Sequence, residues 1–543
     1  MNSIVLLFLG IIIFLIAYVT YGAYLAKKWG IDVKKQTPAH TKFDNVDYCP
    51  ADARILLGHH FSSIAGAGPI AGPIQAAIFG WIPVFLWIVI GSVFIGGAHD
   101  FGSLFASIRH DGKSIGEIIR INIGEKGKMI FNIFAWVTLI LVVAAFTDIC
   151  ASTFAFDATK PTLLTGSQAG TSSILFIFLA MAFGFVVYRK NASIGVSTVV
   201  GVILLFLCVW IGYVFPVVKL TKFQWDIVLL IYITLASILP VWMLLQPRDY
   251  LCSFLLYAML AGAVLGIFLT HPVMQLSGFT SFKVNNQTLF PFLFVTVACG
   301  AVSGFHSLVA SGTTSKQISK EGDAKLIGYG AMLIEGLVAI VALIAVGYVA
   351  KSQGTPAQVF ASGVATFMNS FGIPMQIGKV FVILAFSAFA LTSLDTATRI
   401  GRYIFQEFFT NASQETKKKY ANMYTSTFIT VLASAALLAY GYQKIWPIFG
   451  SANQLLAALA LLAVTAWLAN SGKKTVMTMI PMIFMFAVSL SALFLLIKQY
   501  LFSANKNIIL GSFATLLFIL AIVLIIEAYR SLMGKSKNKN VSI

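Results

Sequence analysis

Four carboxylates, Asp100, Asp148, Glu335 and Asp395, stand inside stretches that are otherwise almost wholly apolar. Holding a charge in hydrocarbon costs at least about 2.5–3.5 kcal/mol, so each needs a partner or a task. The tasks open to such a group are coordination of a cation and reversible protonation, because a low-dielectric site favours the neutral acid. The alternative is structural: a hydrogen bond to a helix end, or a pair with a nearby base. Asp395 carries the functional reading most directly. The run Leu391-Thr392-Ser393-Leu394-Asp395-Thr396-Ala397-Thr398-Arg399 surrounds it with hydroxyls suited to a hard cation or to an anion's hydrogen bonds, with Thr392 and Thr396 as its expected helpers. For Asp100, Asp148 and Glu335 structural pairing carries more weight, and all three stay candidates for ion or proton coupling.

Four histidines, His59, His60, His99 and His306, add groups that titrate near neutral pH. His306 is the foremost of them because it lies inside a glycine-rich segment, while His99 beside Asp100 reads as a local hydrogen-bonded pair. No spacing of His, Cys and carboxylate matches a metal site, so none is expected. In Gln246-Pro247-Arg248-Asp249-Tyr250-Leu251 the guanidinium of Arg248 offers a two-pronged fork for a carboxylate. Its neighbour Asp249 makes an ion pair or a helix cap, at a turn between two apolar spans, the favoured role. There is no nucleophile–base pair, phosphate loop or nucleotide fingerprint. That argues against an enzyme, against ATP-driven work and against any bound cofactor, leaving H+ or Na+ as the coupling ion.

The elements that must position these groups follow from composition. The chain has 543 residues, 59% hydrophobic and 10% charged, with a mean hydropathy of +0.89. That is an all-α polytopic membrane protein. A net charge of +18 would otherwise suggest nucleic acid, but the basic residues fall in short clusters between apolar runs. The first run, Ile4 to Ala26, lacks the basic start and small-residue cleavage site of a signal peptide and reads as a retained helix. With about 20 residues per crossing, about fifteen transmembrane helices are expected. They lie near 4–26, 54–80, 83–108, 127–155, 171–188, 194–218, 226–245, 250–270, 290–313, 325–349, 377–400, 421–441, 446–469, 476–497 and 507–529. The longest loops are expected near 27–53, 271–289 and 351–376. Most of the 37 Lys and Arg residues then fall on one side if the N-terminus is outside and the C-terminus cytoplasmic.

Two of these spans cannot be regular helices. Gly58 to Pro73 holds glycines at 66, 68 and 72 and prolines at 69 and 73, which remove donors and weaken helical preference. Cys299 to Lys316 is the second break, with Gly300, Gly304 and Gly312. Unwound backbone at membrane depth must line a cavity or be buried by protein. By the charge assignment the two spans run antiparallel. The acids keep step with them: Gly66 to Asp100 is 34 positions and Gly300 to Glu335 is 35, while Gly66 to Asp148 is 82 and Gly300 to Asp395 is 95. The expectation is two inverted five-helix repeats, with discontinuous helices meeting near the midplane. The divisions are 1–53 (an extra N-terminal helix and cytoplasmic loop), 54–218 (repeat 1), 219–289 (an inserted helix pair and external loop), 290–470 (repeat 2) and 471–543 (two C-terminal helices and a basic tail). Half-helix N-termini suit a carboxylate. Gly66, Gly68, Gly300 and Gly304 would let substrate approach bare backbone, and Ser62, Ser63, Ser303 and His306 would hydrogen-bond it.

Five segments, Gly58 to Ile70, Gly97 to Phe101, Gln246 to Leu251, Gly304 to Gln317 and Leu394 to Arg399, resemble signatures of the carbon starvation protein A family. The resemblance runs from about residue 50 to 460. It implies a bacterial inner-membrane secondary transporter of the amino acid–polyamine–organocation superfamily, with the inverted five-helix repeats of that LeuT-like fold. It also implies uptake of pyruvate or short peptides during carbon starvation, with proton coupling by similarity to the pyruvate symporters, through alternating access. The C-terminus looks shorter than in the long enterobacterial members. The partners implied are a small-molecule substrate and the lipid bilayer, with no nucleic acid, and no oligomeric state follows from the sequence. A membrane nutrient sensor, or a channel working with a partner protein, is the alternative.

Overall fold

The computed structural model describes residues 2–44, 47–159, 164–190, 192–285, 287–349, 354–410, 412–503 and 506–540. Apolar runs of this length can satisfy backbone N–H and C=O groups in hydrocarbon only within themselves, and the described chain is accordingly mostly helical. In chain order the helices are α1 (Ser3–Trp29), α2 (Ala53–Ile64), α3 (Gly68–Ala76), α4 (Trp81–Arg109), α5 (Ile115–Asn122) and α6 (Glu125–Phe154). Next come α7 (Thr165–Arg189), α8 (Ile194–Val214), α9 (Lys222–Ile238), α10 (Leu245–Thr270), α11 (Leu289–Thr296), α12 (Gly304–Gly312) and α13 (Glu321–Val349). The remainder are α14 (Pro356–Asn369), α15 (Met375–Glu407), α16 (Gln414–Tyr420), α17 (Met423–Leu438), α18 (Tyr442–Asn470), α19 (Val476–Phe502) and α20 (Ile508–Asn540).

Eleven of these runs are long and apolar enough to cross a membrane, or up to twelve if α16 and α17, bent by 52° at their junction, count as one. The spans expected near 54–80 and 290–313 are each two short helices with a break between them, and neither half passes that test alone. Burial sorts the rest into a centre and a periphery. The most apolar window of α18 is 94% buried, that of α15 83% and that of α6 78%, against 11% for α8. Between helices in lipid there is little hydrophobic drive, so close contact depends on small residues and hydrogen bonds. The alanines of α18, Ala457, Ala458, Ala460 and Ala463, are fully buried for that reason.

One segment expected to be a loop is a helix. Within 351–376, α14 opens on a capping box in which Thr355 accepts from the Gln358 backbone and Gln358 reaches back to the Thr355 N–H at 3.0 Å. Its fourteen residues are too few to span the bilayer, which hid it from a search for long apolar runs, but Phe360, Val364 and Phe367 bury one face. The 27–53 segment is also less free than a loop. It carries a four-residue helix, Pro38–Thr41, and bridges Gln36 to Lys320 and Ala51 to Ile318.

Candidate functional site

The first break falls at Ala65–Ala67, between α2 and α3, where Pro69 contributes no donor to the first turn of α3. The second occupies Val297–Ser303 between α11 and α12. The two segments cross in contact, and glycine makes that crossing possible. A Cβ on Gly72 would sit 2.7 Å from the Thr296 carbonyl, and one on Gly68 would overlap Cys299. One on Gly66 would meet Ser393 Oγ at 2.7 Å and Phe146 at 2.9 Å, one on Gly300 would meet the Ala339 methyl at 2.8 Å, and one on Gly304 would strike the backbone of α18. In this conformation the four glycines named from the sequence therefore abut protein. The N-terminus of α12 is likewise held by protein: Phe305 N–H donates to Asn453 Oδ1 at 2.9 Å, and Asn453 Nδ2 donates to Ser303 Oγ at 3.0 Å.

Behind the second break, three of the sequence-selected groups meet. His306 on α12 puts Nδ1 2.8 Å from Asp100 Oδ2 on α4 and Nε2 3.5 Å from Glu335 Oε2 on α13. The other oxygen of Asp100 lies 2.7 Å from His99 Nδ1. All four side chains are fully buried. One imidazole between two carboxylates, with no Lys or Arg bonded to any of them among the described residues, can gain or lose a proton without exposing a bare cation. The local pair expected for His99 and Asp100 is present, and Asp100 serves His306 as well.

Asp395 has a different neighbour. Arg248, in the first turn of α10, donates from Nη1 to Asp395 Oδ2, and Tyr232 on α9 donates to the same oxygen at 2.7 Å. The expected pairing of Arg248 with Asp249, at a turn, is corrected on both counts. The motif lies within α10, where adjacent residues project about 100° apart and cannot face each other. Asp249 turns instead to α2, with Oδ2 3.0 Å from His59 Nδ1 and accepting from Ser63 Oγ at 3.2 Å. His60 Nδ1 lies 2.8 Å from Thr314 Oγ1. Thr392 Oγ1 is 3.5 Å from Arg248 Nη2, while Thr396 Oγ1 and Ser62 Oγ are buried without a hydrogen-bond partner among the described residues. Asp148 joins neither group: it pairs with Lys222 Nζ at 2.5 Å, and that lysine is 42% exposed and also binds Asp226 at 3.0 Å.

Sequence reasoning missed Tyr232, Asn453 and the partners of Arg248 and Asp249. Asn453 had a legible signal, the polar trio of Ser451, Asn453 and Gln454 around Ala452 in an apolar span. Tyr232 had none.

On one side of the crossing the protein opens. A cavity of about 480 Å³ is lined by Gln75 of α3, Phe292 and Thr296 of α11, Val359 of α14 and Trp446 of α18. Among the described residues, no charged side chain lines it. The other side is sealed by the 27–53 segment. There Ala51 N–H donates to Gln317 O at 2.9 Å, Asp32 N–H to Glu321 Oε1 at 2.8 Å, and Arg109 Nη2 to the same Glu321 oxygen at 2.6 Å. Lys316 Nζ lies 5.5 Å from the ring of Tyr48 and 5.4 Å from that of Tyr403, a cation between two aromatic faces. Burial, then the charges of Asp47, Asp44 and Asp111, raises the Tyr48 phenol above its ordinary value and keeps that ring neutral.

Comparison with known proteins gives this arrangement a context. The family described as carbon starvation protein CstA matches residues 2–353 and 348–492. Among curated relatives, the peptide transporter CstA of Helicobacter pylori is 34% identical, covering 87% of this chain and 78% of that protein. The pyruvate/proton symporter BtsT of Escherichia coli is 31% identical over 83% of this chain and 75% of its own length. The peptide transporter CstA of Bacillus subtilis is 29% identical and covers 98% and 97%. Among solved structures, a mutant of the manganese transporter of Eremococcus coleocola superposes with a TM-score of 0.50 at 12% identity, over 88% of this chain and 95% of that one, a likeness of fold. A multi-span helical chain with buried titratable groups at crossed helix breaks, matched along nearly all its length by proteins named as transporters, is itself a membrane transporter and belongs to the carbon starvation protein CstA family.

Proposed function

We propose that this chain is a proton-coupled importer of a small carboxylate nutrient, of the pyruvate class or a short peptide, across the bacterial inner membrane, working by alternating access. The observation that carries the reading is the His306 imidazole between Asp100 and Glu335 at the second break. It is a proton site built on one of the two segments that must rearrange for the pathway to switch sides. The names of the relatives supply the substrate classes: peptides for several and pyruvate with protons for one.

Two inverted repeats of five helices account for several independent correspondences. Each half has a broken helix (α2–α3; α11–α12), then a span containing a π-helical run (Gly91–Gly96; Lys325–Gly330). A short amphipathic helix (α5; α14) and a long helix bearing Asp148 or Asp395 (α6; α15) follow. Adding the two broken helices, α9 and the bent pair to the eleven long runs yields fifteen crossings. With an outside N-terminus, the 480 Å³ cavity faces outward and the sealed side faces the cytoplasm, in line with the basic clusters. Asp395 with Thr392 and Thr396 is a second coupling candidate, and Ser62, Ser63, Ser303 and the glycines at the breaks are assigned to substrate once the crossing opens. Asp148 ranks last, given its exposed lysine. The test is uptake of radiolabelled pyruvate, with di- and tripeptides as competitors, into proteoliposomes with an imposed pH gradient. Gradient-dependent accumulation supports the reading, and equilibration without accumulation under either a proton or a sodium gradient points to a channel.

A further inference from the structure

Arg248 stands apart from the other cations of this chain. Its pair with Asp395 is the one Lys or Arg ion pair among the described residues in which both side chains are at most 1% exposed. Burying such a pair costs several kcal/mol per ion, so it is a poor way to gain stability. It also leaves the guanidinium half used. Nη1 is committed to Asp395 and to the Tyr232 hydroxyl at 3.0 Å. Along the other edge, Nε has no partner among the described residues, and Nη2 reaches only to the Ala388 carbonyl and Thr392 Oγ1, both at 3.5 Å. The Nε–Nη2 edge is the planar fork that takes a carboxylate with two parallel hydrogen bonds. Arg248 lines a small cavity of about 10 Å³ with Ser172, Ser173 and Ala388, room for about one water. On the Asp395 side, Oδ1 also has no partner among the described residues.

Resting on the transport reading above, we propose that Arg248 is the receptor for the carboxylate of the substrate, and that Asp395 is the internal carboxylate that holds it while the site is empty. The exchange needs no new charge in the membrane. A proton added to Asp395 from solvent converts it to the neutral acid and loosens its hold on Nη1, and the incoming carboxylate replaces the lost negative charge on the guanidinium. Substrate and proton thus arrive together. The groups facing Asp395 are Arg248 and Asp249 from α10, Tyr232 from α9 and Arg399 on its own helix, with the Cys150 and Cys252 thiols beside the pair. Asp249 is occupied with His59 and Ser63, and Arg399 commits Nη2 to the carbonyls of Ala236 and Leu239, which closes its Nε–Nη2 fork, so Arg248 is the cation available to a substrate. In this conformation the site is shut, and occupancy follows separation of α10 from α15.

The experiment compares wild type, Asp395→Asn and the double variant Arg248→Gln/Asp395→Asn, which removes both charges together and leaves no uncompensated ion to unfold the protein. Radiolabelled pyruvate and alanylalanine serve as probes for equilibrium binding between pH 5.5 and 8, with alanylalanine amide as the competitor lacking a carboxylate. Wild type binds more tightly as pH falls. Asp395→Asn binds with little pH dependence and loses accumulation, and the double variant binds on the order of 100-fold more weakly than Asp395→Asn. Equal affinity in the double variant, or competition by the amide as strong as by the acid, overturns the assignment while leaving transport intact. Absence of uptake of either probe by wild type overturns the transport reading and this assignment together.

Discussion

The two buried charge clusters lie near the crossed breaks and are built from opposite materials. Around His306 every member is a weak acid or an imidazole, each able to change charge by one proton. Around Asp395 a guanidinium fixes a positive charge at any accessible pH, so what can change there is the anion it holds, a protonated Asp395 giving way to another carboxylate. The first suits a proton carrier and the second suits an anion receptor. Their placement fits the contrast, since α12 borders a break while α10 ties together helices distant in the chain, Arg248 reaching α15 and Asp249 reaching α2.

That contrast can be broken by substitution, beginning with the largest effect. Asp100→Asn or Glu335→Gln should abolish accumulation driven by a pH gradient while counterflow of substrate persists, measured in the same vesicles. Full gradient-driven uptake in both would move the proton site elsewhere. Arg248→Ala leaves Asp395 buried and unpaired and should cost about 3–5 kcal/mol of stability, read as a fall in the thermal midpoint in detergent. The double variant Arg248→Gln/Asp395→Asn should recover most of it. Gly68→Ala forces a methyl into Cys299 and should cost about 1–3 kcal/mol, part of which Cys299→Gly restores. Asp148→Asn should change stability by no more than about 1 kcal/mol, because Lys222 is partly solvated and keeps Asp226. Loss of proton coupling in that variant would make the contrast three-way.

A milder test concerns charge outside the spans. Although burial opposes it, hydrogen bonds from Lys128 and Arg120 hold the Glu117 carboxyl below its ordinary 4.5. A lowered folded value contributes stability above the unfolded value and loses it as pH falls through the folded one. Glu117→Gln should therefore flatten the acid limb of the stability profile and leave uptake unchanged.

Much of this was legible in the chain. The prolines and glycines of 66–73 and the glycines of 299–312 announce their breaks because they act locally on the backbone. Asp100, Glu335 and Asp395 stand out because a carboxylate in an apolar run is costly wherever it lands. What stayed hidden was partnership. Arg248 lies 147 residues from Asp395, and Asp249 lies 190 from His59. Sequence neighbours suggested Arg248–Asp249 instead, a pairing that helical geometry forbids. The buried α14 was missed because it is too short to register as a span, although its capping box was readable at Thr355 and Gln358.

The most direct test is pyruvate uptake into proteoliposomes carrying wild type, His306→Ala or the pair Asp100→Asn/Glu335→Gln, with an inward proton gradient imposed and then collapsed. Proton symport through the His306 cluster predicts accumulation by wild type that vanishes with the gradient, and in both variants only equilibration. Gradient-dependent accumulation by either variant at the wild-type level would contradict it.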